Sequence, residues 1–302
     1  MDSLLSICDI KDDVSYIIDL ACQIKSGEKE EKPLEGKTLA MIFQKSSTRT
    51  RVSFDVGMYQ LGGRAIFLSS NDLQMGRGEP ISDTAKVLSR FVDGIMIRAI
   101  EHDDVIELAK HSDVPVISGL TNLEHPCQAL ADVLTIKEHF GSFENKKICF
   151  VGDGNNVCNS LLLIAPLLGM DMSVACPEGY EPNEDIIKIA LEYAEENNTK
   201  ITISSDINVA LDNVDVVYTD VWISMGDEAE AAKRKIDLKP YQVNEELMAL
   251  ANDDAIFMHC LPAVRGHEVA AEVIDGPQSV VYDEAENRLH AQKAILYYYL
   301  KD

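Results

Sequence analysis

The chain has 302 residues, 46% of them hydrophobic and 26% charged, which excludes a disordered, collagenous or coiled-coil protein and suits one large or two moderate globular domains. Its 27 basic and 51 acidic residues give a formal net charge of −24. This charge argues against a nucleic-acid or membrane-surface protein, because phosphate backbones and anionic lipids would be repelled. The sequence contains no uninterrupted apolar run of about 18 residues, so it predicts no transmembrane helix.

The cysteines indicate the compartment. Seven cysteines are an odd number and form no CxxC pair, which is typical of free thiols in a reducing compartment. The first residues are acidic and lack the early arginines of a signal or transit peptide. We therefore expect a cytoplasmic protein.

Charge is distributed unevenly along the chain. Residues 35–100 contain nine basic and six acidic residues, a net charge of +3, whereas the rest of the chain carries −27. A basic segment in an acidic protein suggests that a small anionic ligand is bound there, although chance clustering gives the same pattern.

Short apolar or β-branched segments alternate with helical periodicity throughout the sequence. Strands are predicted at residues 38–43, 65–68, 95–97, 115–118, 147–151, 172–175, 200–203, 215–218, 255–259 and 279–282. Leu130, Val133 and Leu134 show the helical spacing that fills one of the intervals. This repeated alternation predicts an α/β fold with parallel sheets flanked by helices.

A helix predicted from residue 126 to about residue 140, closed by Gly141, separates four strands from six. We predict two domains joined there, residues 1–135 and residues 136–283, with a last helix over 284–302 that packs back on the first domain. Ligands of open parallel sheets bind beyond the carboxyl ends of the strands. We therefore expect the ligand site in the cleft between the two domains.

The first strand is followed by Ser47, Thr48, Arg49, Thr50 and Arg51, and then by a helix. Hydroxyls, free backbone amides and guanidinium groups at a helix N-terminus form an anion site, because the amides donate hydrogen bonds and the helix dipole favours negative charge. An N-cap with solvated arginines is the alternative. The basic segment favours phosphate binding.

Two further strand ends of the first domain carry candidate donors. Arg98 follows the third strand, where a surface ion pair is the alternative. After the fourth strand, Pro126 at the first helical position places His125 at the N-cap and Gln128 about one turn later, so both side chains can point to one spot. A helix N-terminus disfavours imidazolium, so we expect a neutral His125 that donates a hydrogen bond, although a capping histidine with no further role fits equally well.

The strand ends of the second domain are less specific. Gly152 and Gly154 resemble the start of a dinucleotide fingerprint, but the third glycine position holds Val157, so NAD binding is weakly supported. The two asparagines that precede Val157 could equally grip a carboxylate. Asp220 and Trp222 follow another strand, either as a surface turn or as a place where a ligand's ammonium pairs.

His259 and Cys260 end the ninth predicted strand. Neighbouring residues on a strand point to opposite faces, so His259 is poorly placed to activate Cys260 as a nucleophile. One histidine and one cysteine also fall short of a zinc site. The sequence therefore predicts no metal site.

Five motifs in chain order resemble those of the carbamoyltransferase family. They are STRTR at 47–51, LQMGRGE at 73–79, HPCQ at 125–128, DVWISMG at 220–226 and HCLP at 259–262. The last two resemble the ornithine-using branch, since the aspartate-using branch carries a PLPR-type sequence in place of HCLP. The resemblance runs from Leu4 to Arg288.

The resemblance implies transfer of the carbamoyl group of carbamoyl phosphate to the δ-amine of L-ornithine, giving L-citrulline and phosphate. It implies a role in arginine metabolism, with biosynthesis as the expected direction. It also implies that no metal or organic cofactor is needed and that the protein is a homotrimer or a multiple of trimers. Transfer to another amine such as putrescine, a non-catalytic regulator and, remotely, an NAD-dependent oxidoreductase remain as alternatives.

The resemblance also implies which residues form the site. Carbamoyl phosphate is expected to contact Ser47, Thr48, Arg49, Thr50, Gln74, Arg98, His125, Gln128, Cys260, Leu261 and Arg288. L-Ornithine is expected to contact Asn156, Asp220, Ser224 and Met225. Arg98, His125 and Cys260 are the expected catalytic residues: the first two would meet the carbonyl oxygen that becomes anionic, and Cys260 would orient the δ-amine. Gln74 lies on the motif that resembles a mobile loop of the family and is expected to reach in from a neighbouring subunit.

Overall fold

The computed structural model describes residues 2–29, 32–70, 73–223 and 228–301 and divides into two compact units. The first unit comprises residues 1–134 and 286–302, and the second comprises residues 135–285. The chain passes between the units within two helices, Pro126–Phe140 and Val281–Leu300.

The first unit contains a parallel four-stranded sheet. Its strands are β1 (Thr38–Phe43), β2 (Arg64–Ser69), β3 (Gly94–Arg98) and β4 (Val116–Leu120), and they lie in the order β2-β1-β3-β4. The helices up to the boundary are α1 (Val14–Ser26), α2 (Arg49–Gln60), α3 (Ile81–Leu88), α4 (His102–His111) and α5 (Pro126–Phe140). Ile42 and Ile97 of the two central strands are completely buried and pack in one core with Val105 and Leu108 of α4.

The second unit contains a parallel five-stranded sheet. Its strands are β5 (Lys147–Val151), β6 (Asp171–Ala175), β7 (Ile201–Ser204), β8 (Val216–Thr219) and β9 (Ile256–Met258), in the order β7-β6-β5-β8-β9. The remaining helices are α6 (Asn156–Leu167), α7 (Glu184–Glu196), α8 (Ile207–Leu211), α9 (Ala231–Asp237), α10 (Glu245–Met248), α11 (Ala271–Ile274) and α12 (Val281–Leu300). Helix α6 is buried from Val157 to Pro166, and all of these residues except Asn159 and Ser160 are apolar.

Each sheet has one point where the chain turns to the opposite side. The connection after β1 leads to β2 on one side, and the connection after β3 leads to β4 on the other. The carboxyl ends of β1 and β3 therefore form a topological switch point, where ligands of such sheets bind. The ends of β5 and β8 form the corresponding point in the second unit, since β6 and β9 lie on opposite sides of this pair.

The predicted fold class is confirmed: each unit is a parallel sheet flanked by helices. The first nine predicted strands each overlap a strand of the structure, but the tenth, at 279–282, is wrong. Ser279 makes a single parallel bridge to Phe257, and α12 begins two residues later at Val281. None of the helices in the described part of the chain combines the length and the apolar character that a membrane span requires.

Candidate active site

The loop after β1 carries the predicted phosphate ligands into the first turns of α2. Thr48 is the N-cap of α2, and the backbone amide of Thr50 donates to the Ser47 hydroxyl at 3.3 Å. Arg49 begins the helix. Gln44 ties this loop to the one after β3, because its backbone amide donates to the carbonyl of Arg98 at 3.0 Å. The amides and hydroxyls of residues 47–50 thus lie at the switch point of the first sheet.

His125 lies among three arginines of the first unit and is 4% exposed. Burial lowers the pKa of His125 well below its usual value of 6.5, and the charges of Arg288, Arg98 and Arg49 lower it further. The sequence argument attributed a neutral His125 to the helix N-terminus. In the structure, burial is the largest cause and the guanidinium groups come next.

Arg288 of α12 connects two of the predicted contacts. It is 3% exposed and donates to Gln128 Oε1 at 2.6 Å and to Thr50 Oγ1 at 3.0 Å. Gln128 Nε2 donates to Asp132 Oδ1 at 2.8 Å. Asp132 was not predicted as a site residue. An aspartate within an apolar stretch of the sequence indicates a buried carboxylate, but the sequence does not show that its partner is Gln128.

Gln74 does not join this group. It is exposed on the short 3₁₀ helix Gln74–Arg77, and the described contacts do not bring its side chain to the arginines. The prediction that it acts from a neighbouring subunit stays a prediction.

Asp220 is the centre of a polar cluster in the second unit, just after β8. It is 8% exposed, and its Oδ1 accepts hydrogen bonds from the Cys260 thiol at 3.0 Å and from the Val221 amide at 2.8 Å. Its Oδ2 accepts from Asn155 Nδ2 at 2.7 Å. Asn156, the predicted carboxylate ligand, is the half-buried first residue of α6. Sequence reasoning considered Asn155, together with Asn156, only as a group that could grip a carboxylate, yet its position before an apolar helix is the usual sign of an N-cap.

Asn155 performs two functions. Its Oδ1 caps α6 by accepting from the amides of Val157 and Cys158, at 3.0 and 3.2 Å, while its Nδ2 holds Asp220. The carboxylate is therefore tied to the end of a rigid, buried helix.

The turn after β9 is held by His259, which is completely buried. Its Nδ1 accepts from the Leu261 amide at 2.9 Å, and its Nε2 lies 3.3 Å from Oε1 of Glu268. Leu261 has a φ of 54°, a left-handed conformation that costs a residue other than glycine about 1–2 kcal/mol. The imidazole thus stabilises a strained turn, and Glu268 orients the imidazole.

The side chains of Asp220, His259 and Cys260 offer potential metal-ligand atoms within 4.8 Å of one another. The thiol is already bonded to the carboxylate, and the imidazole nitrogens contact Leu261 and Glu268. A cation would have to replace these hydrogen bonds.

The segment after Asp220 contains the last two predicted ornithine contacts, Ser224 and Met225, which lie outside the described residues. Trp222 precedes them, is 3% exposed and stacks on His267 with the ring centroids 6.3 Å apart. Arg234 of α9 donates to the Trp222 carbonyl at 3.3 Å and to the Asp153 carboxylate at 2.7 Å. This arginine ties the segment after β8 to the turn after β5.

Comparison with known proteins identifies the family. Residues 2–138 match the model of the aspartate/ornithine carbamoyltransferase carbamoyl-P binding domain, and residues 144–299 match the model of the aspartate/ornithine carbamoyltransferase Asp/Orn binding domain. The chain is 79% identical to an ornithine carbamoyltransferase of Methanobrevibacter smithii and 61% identical to one of Methanosphaera stadtmanae, in each case over 100% of both chains.

Solved structures agree with the sequence comparison. The ornithine carbamoyltransferase from Pyrococcus furiosus superposes with a TM-score of 0.95 at 52% identity, covering 99% of this chain and 96% of that one. An anabolic ornithine carbamoyltransferase from Campylobacter jejuni gives a TM-score of 0.94 at 42% identity, covering 99% and 98%. The resemblance seen in the five motifs is thereby confirmed, and the chain belongs to the aspartate/ornithine carbamoyltransferase family.

Proposed function

We propose that this protein transfers the carbamoyl group of carbamoyl phosphate to the δ-amine of L-ornithine, forming L-citrulline and phosphate. The observation that carries the proposal is the opposite charge of the two strand-end clusters. The first unit gathers three guanidinium groups around a neutral histidine, and the second holds a carboxylate beside a thiol. The first suits a phosphate dianion and the second an amino acid with a free ammonium group.

In the proposed carbamoyl phosphate site, the phosphate lies on the N-terminus of α2, on Ser47, Thr48, Arg49 and Thr50, with Arg98 beside it. The α2 amides point along the helix axis toward the anion, and the helix dipole adds to the attraction. Phosphate is a good leaving group when so bound, and for this reason the proposed reaction needs no metal or organic cofactor.

The carbonyl oxygen of the carbamoyl group is proposed to face Thr50, Arg98 and His125. Amine attack makes this oxygen anionic, and a preorganised donor at such an oxygen typically contributes about 2.7–4 kcal/mol to transition-state stabilisation. The neutral imidazole of His125 keeps one N–H to donate. Gln128, Arg288 and the backbone at 260–261 are proposed to hold the remaining carbamoyl atoms.

Ornithine is proposed to bind through the second unit. Asp220 and Ser224 suit its α-ammonium group, while Asn156 and the Met225 backbone suit its carboxylate. Cys260 then lies beside the δ-amine and orients it. The neutral amine attacks the carbamoyl carbon, the bond from that carbon to the phosphate oxygen breaks, and the proton released by the amine ends on the phosphate.

We further propose a homotrimer or a multiple of trimers, in which Gln74 acts from a neighbouring subunit. Support comes from the edge strand β2, none of whose six residues is buried, and from exposed apolar side chains of the same unit such as Tyr59, which is 79% exposed, and Phe91, which is 74% exposed. A mass in solution of about three times 33.4 kDa, or a multiple of that, would agree. A monomer at micromolar concentration would contradict this part.

The cellular role is proposed as arginine biosynthesis in the cytoplasm. The compartment is supported by the seven cysteines, four buried and three half-buried, which form no disulfide. Two alternatives are less well supported. Putrescine lacks the carboxylate that Asn156 is proposed to bind, and neither matching family model describes an NAD-dependent oxidoreductase.

The deciding experiment is a citrulline assay with ornithine varied, run beside putrescine as the amine. Arg49→Ala should raise the KM for carbamoyl phosphate at least about thirtyfold, because losing one partner of a buried charge pair costs about 2–5 kcal/mol. Arg265→Ala, which breaks an exposed ion pair of the second unit, is the control and should leave that KM unchanged. An unchanged KM in Arg49→Ala would contradict the phosphate assignment.

A further inference from the structure

A chain of buried hydrogen bonds in the first unit ends at a carboxylate outside the predicted site residues. Arg288 donates to Thr50 Oγ1 at 3.0 Å and to Gln128 Oε1 at 2.6 Å. Gln128 Nε2 donates in turn to Asp132 Oδ1 at 2.8 Å. Arg288 is the most accessible of the four side chains and is only 3% exposed.

Asp132 lies where the helix would otherwise be apolar. It follows Gln128 by one helical turn on α5, and Leu130, Val133 and Leu134 around it are completely buried. Burying a carboxylate costs free energy that hydrogen bonds must offset. Gln128, which shares this face of the helix, supplies one such hydrogen bond.

The neighbours of Gln128 select one of the two orientations of its carboxamide. The oxygen and nitrogen ends have the same shape, so hydrogen-bond partners decide which way the group points. A guanidinium group has only donors and a carboxylate only acceptors, so Oε1 must face Arg288 and Nε2 must face Asp132.

This orientation matters for the ligand, and here the inference rests on the proposed function. The carbamoyl NH₂ can only donate, so Gln128 can bind it only through Oε1, which keeps a second lone pair beside Arg288. A reversed carboxamide would direct its own N–H groups at both Arg288 and the ligand. We propose that Asp132 is a positioning residue of the carbamoyl phosphate site, which holds Gln128 with its oxygen toward the carbamoyl NH₂.

The proposal is tested by exchanging the two groups. Gln128→Glu places two carboxylates in contact, Asp132→Asn removes the obligate acceptor, and the double variant restores one carboxylate and one carboxamide in exchanged positions. In the double variant the new asparagine can donate to the new glutamate, whose other oxygen then faces Arg288. The formal charge of the double variant equals that of the wild type, so overall electrostatics do not confuse the comparison.

We expect the KM for carbamoyl phosphate to rise at least about tenfold in Gln128→Glu, which places two carboxylates in contact. In Asp132→Asn it should rise about threefold to tenfold, the range that the net contribution of one hydrogen bond gives. In the double variant it should return to within about threefold of the wild type. The KM for ornithine at saturating carbamoyl phosphate should stay within about twofold throughout. A double variant no better than Gln128→Glu would overturn the proposal.

Ser173→Ala is the control for a general loss of stability. It removes a buried hydrogen bond to the Ala210 carbonyl in the second unit and should leave the KM for carbamoyl phosphate unchanged. If Gln128→Glu does not fold, Asp132→Asn and Asp132→Ala decide instead. Both must raise that KM, the alanine variant more, and wild-type values in both would overturn the proposal.

The wild-type assay separates the two hypotheses. If the wild type forms no citrulline, the proposed function fails, and the same exchange is then followed by calorimetric binding of carbamoyl phosphate. Restored binding in the double variant would still support the positioning role. Absence of binding by the wild type would refute it together with the proposed site.

Discussion

Glu268 offers a prediction whose size follows from its contacts. It is 1% exposed, and its Oε1 accepts from the backbone amide of Val264 and lies 3.3 Å from Nε2 of His259. His259 in turn accepts from the Leu261 amide, so Glu268 fixes the tautomer in which Nδ1 is the acceptor. The substitutions are Glu268→Ala, which removes the acceptor, and Glu268→Gln, which keeps an oxygen but removes the charge.

The two substitutions should differ clearly in cost. Glu268→Ala leaves the buried Nε2–H of His259 and the half-exposed amide of Val264 without their acceptor. At about 1–3 kcal/mol for the first and about 0.5–1.5 kcal/mol for the second, the free energy of unfolding should fall by about 1.5–4.5 kcal/mol. Glu268→Gln replaces charge-assisted hydrogen bonds by neutral ones, which lowers the free energy of unfolding by about 1 kcal/mol. Arg265→Ala is the matched control in the same loop, because its ion pair with Asp275 is exposed and worth at most about 1 kcal/mol.

The measurement is urea unfolding at one fixed protein concentration, since any self-association would couple stability to concentration. Citrulline formation measured beside it should fall strongly in Glu268→Ala and little in Glu268→Gln, because the Leu261 turn relaxes only when His259 loses its orientation. The reasoning is refuted if Glu268→Ala costs no more than Arg265→Ala, or if the glutamine and alanine variants are equally damaged.

Three further outcomes are expected. Because the pKa of His125 is lowered in the folded protein, the unfolded chain takes up a proton below about pH 6.5 that the folded protein does not. The free energy of unfolding of the wild type, measured in urea, should therefore fall relative to that of His125→Gln as the pH drops below about 6.5, by up to about 1.4 kcal/mol per pH unit. Two substrates divided between two domains imply ordered binding with carbamoyl phosphate first. The fluorescence of Trp222, the single tryptophan, should therefore respond to ornithine mainly after carbamoyl phosphate is bound, and a full response to ornithine alone would contradict this order. Asn155→Ala and Asn183→Ala each remove an N-cap worth about 1 kcal/mol, but only the former should raise the KM for ornithine, because only Asn155 also holds Asp220.

Much of the fold follows from local sequence pattern, because buried parallel strands and amphipathic helices have different periods. The strand expected at 279–282 shows the limit. Two adjacent valines there favour a strand by propensity, yet Val281 begins a helix of 20 residues. Propensity over four residues is weaker than the packing of a long helix.

The residues of the candidate site also fall into two groups, those that the sequence identifies and those that it does not. Thr50, Gln128 and Arg288 could be proposed from the resemblance to the family, and the structure brings these three into contact across 238 residues of chain. The roles of Asp132 and Glu268 could not be predicted from the sequence, because they depend on which side chain each residue contacts. Glu268 reaches His259 only through the loop that separates them, and loop geometry has no sequence period from which it can be read.

The charges of the first cluster also determine how the proposed reaction should depend on pH. Guanidinium groups are not deprotonated in proteins, and His125 stays neutral above its lowered pKa. The charge of the cluster is therefore constant near neutrality, and carbamoyl phosphate binding should not change between pH 6.5 and 8.5. The group that then controls the rate is the δ-amine of ornithine, which must lose its proton before it can attack. The rate of citrulline formation at subsaturating ornithine should thus rise about tenfold per pH unit in this range, while the KM for carbamoyl phosphate stays constant. A matching change in that KM would contradict this reasoning, because it would mean that a protein group in the phosphate site titrates.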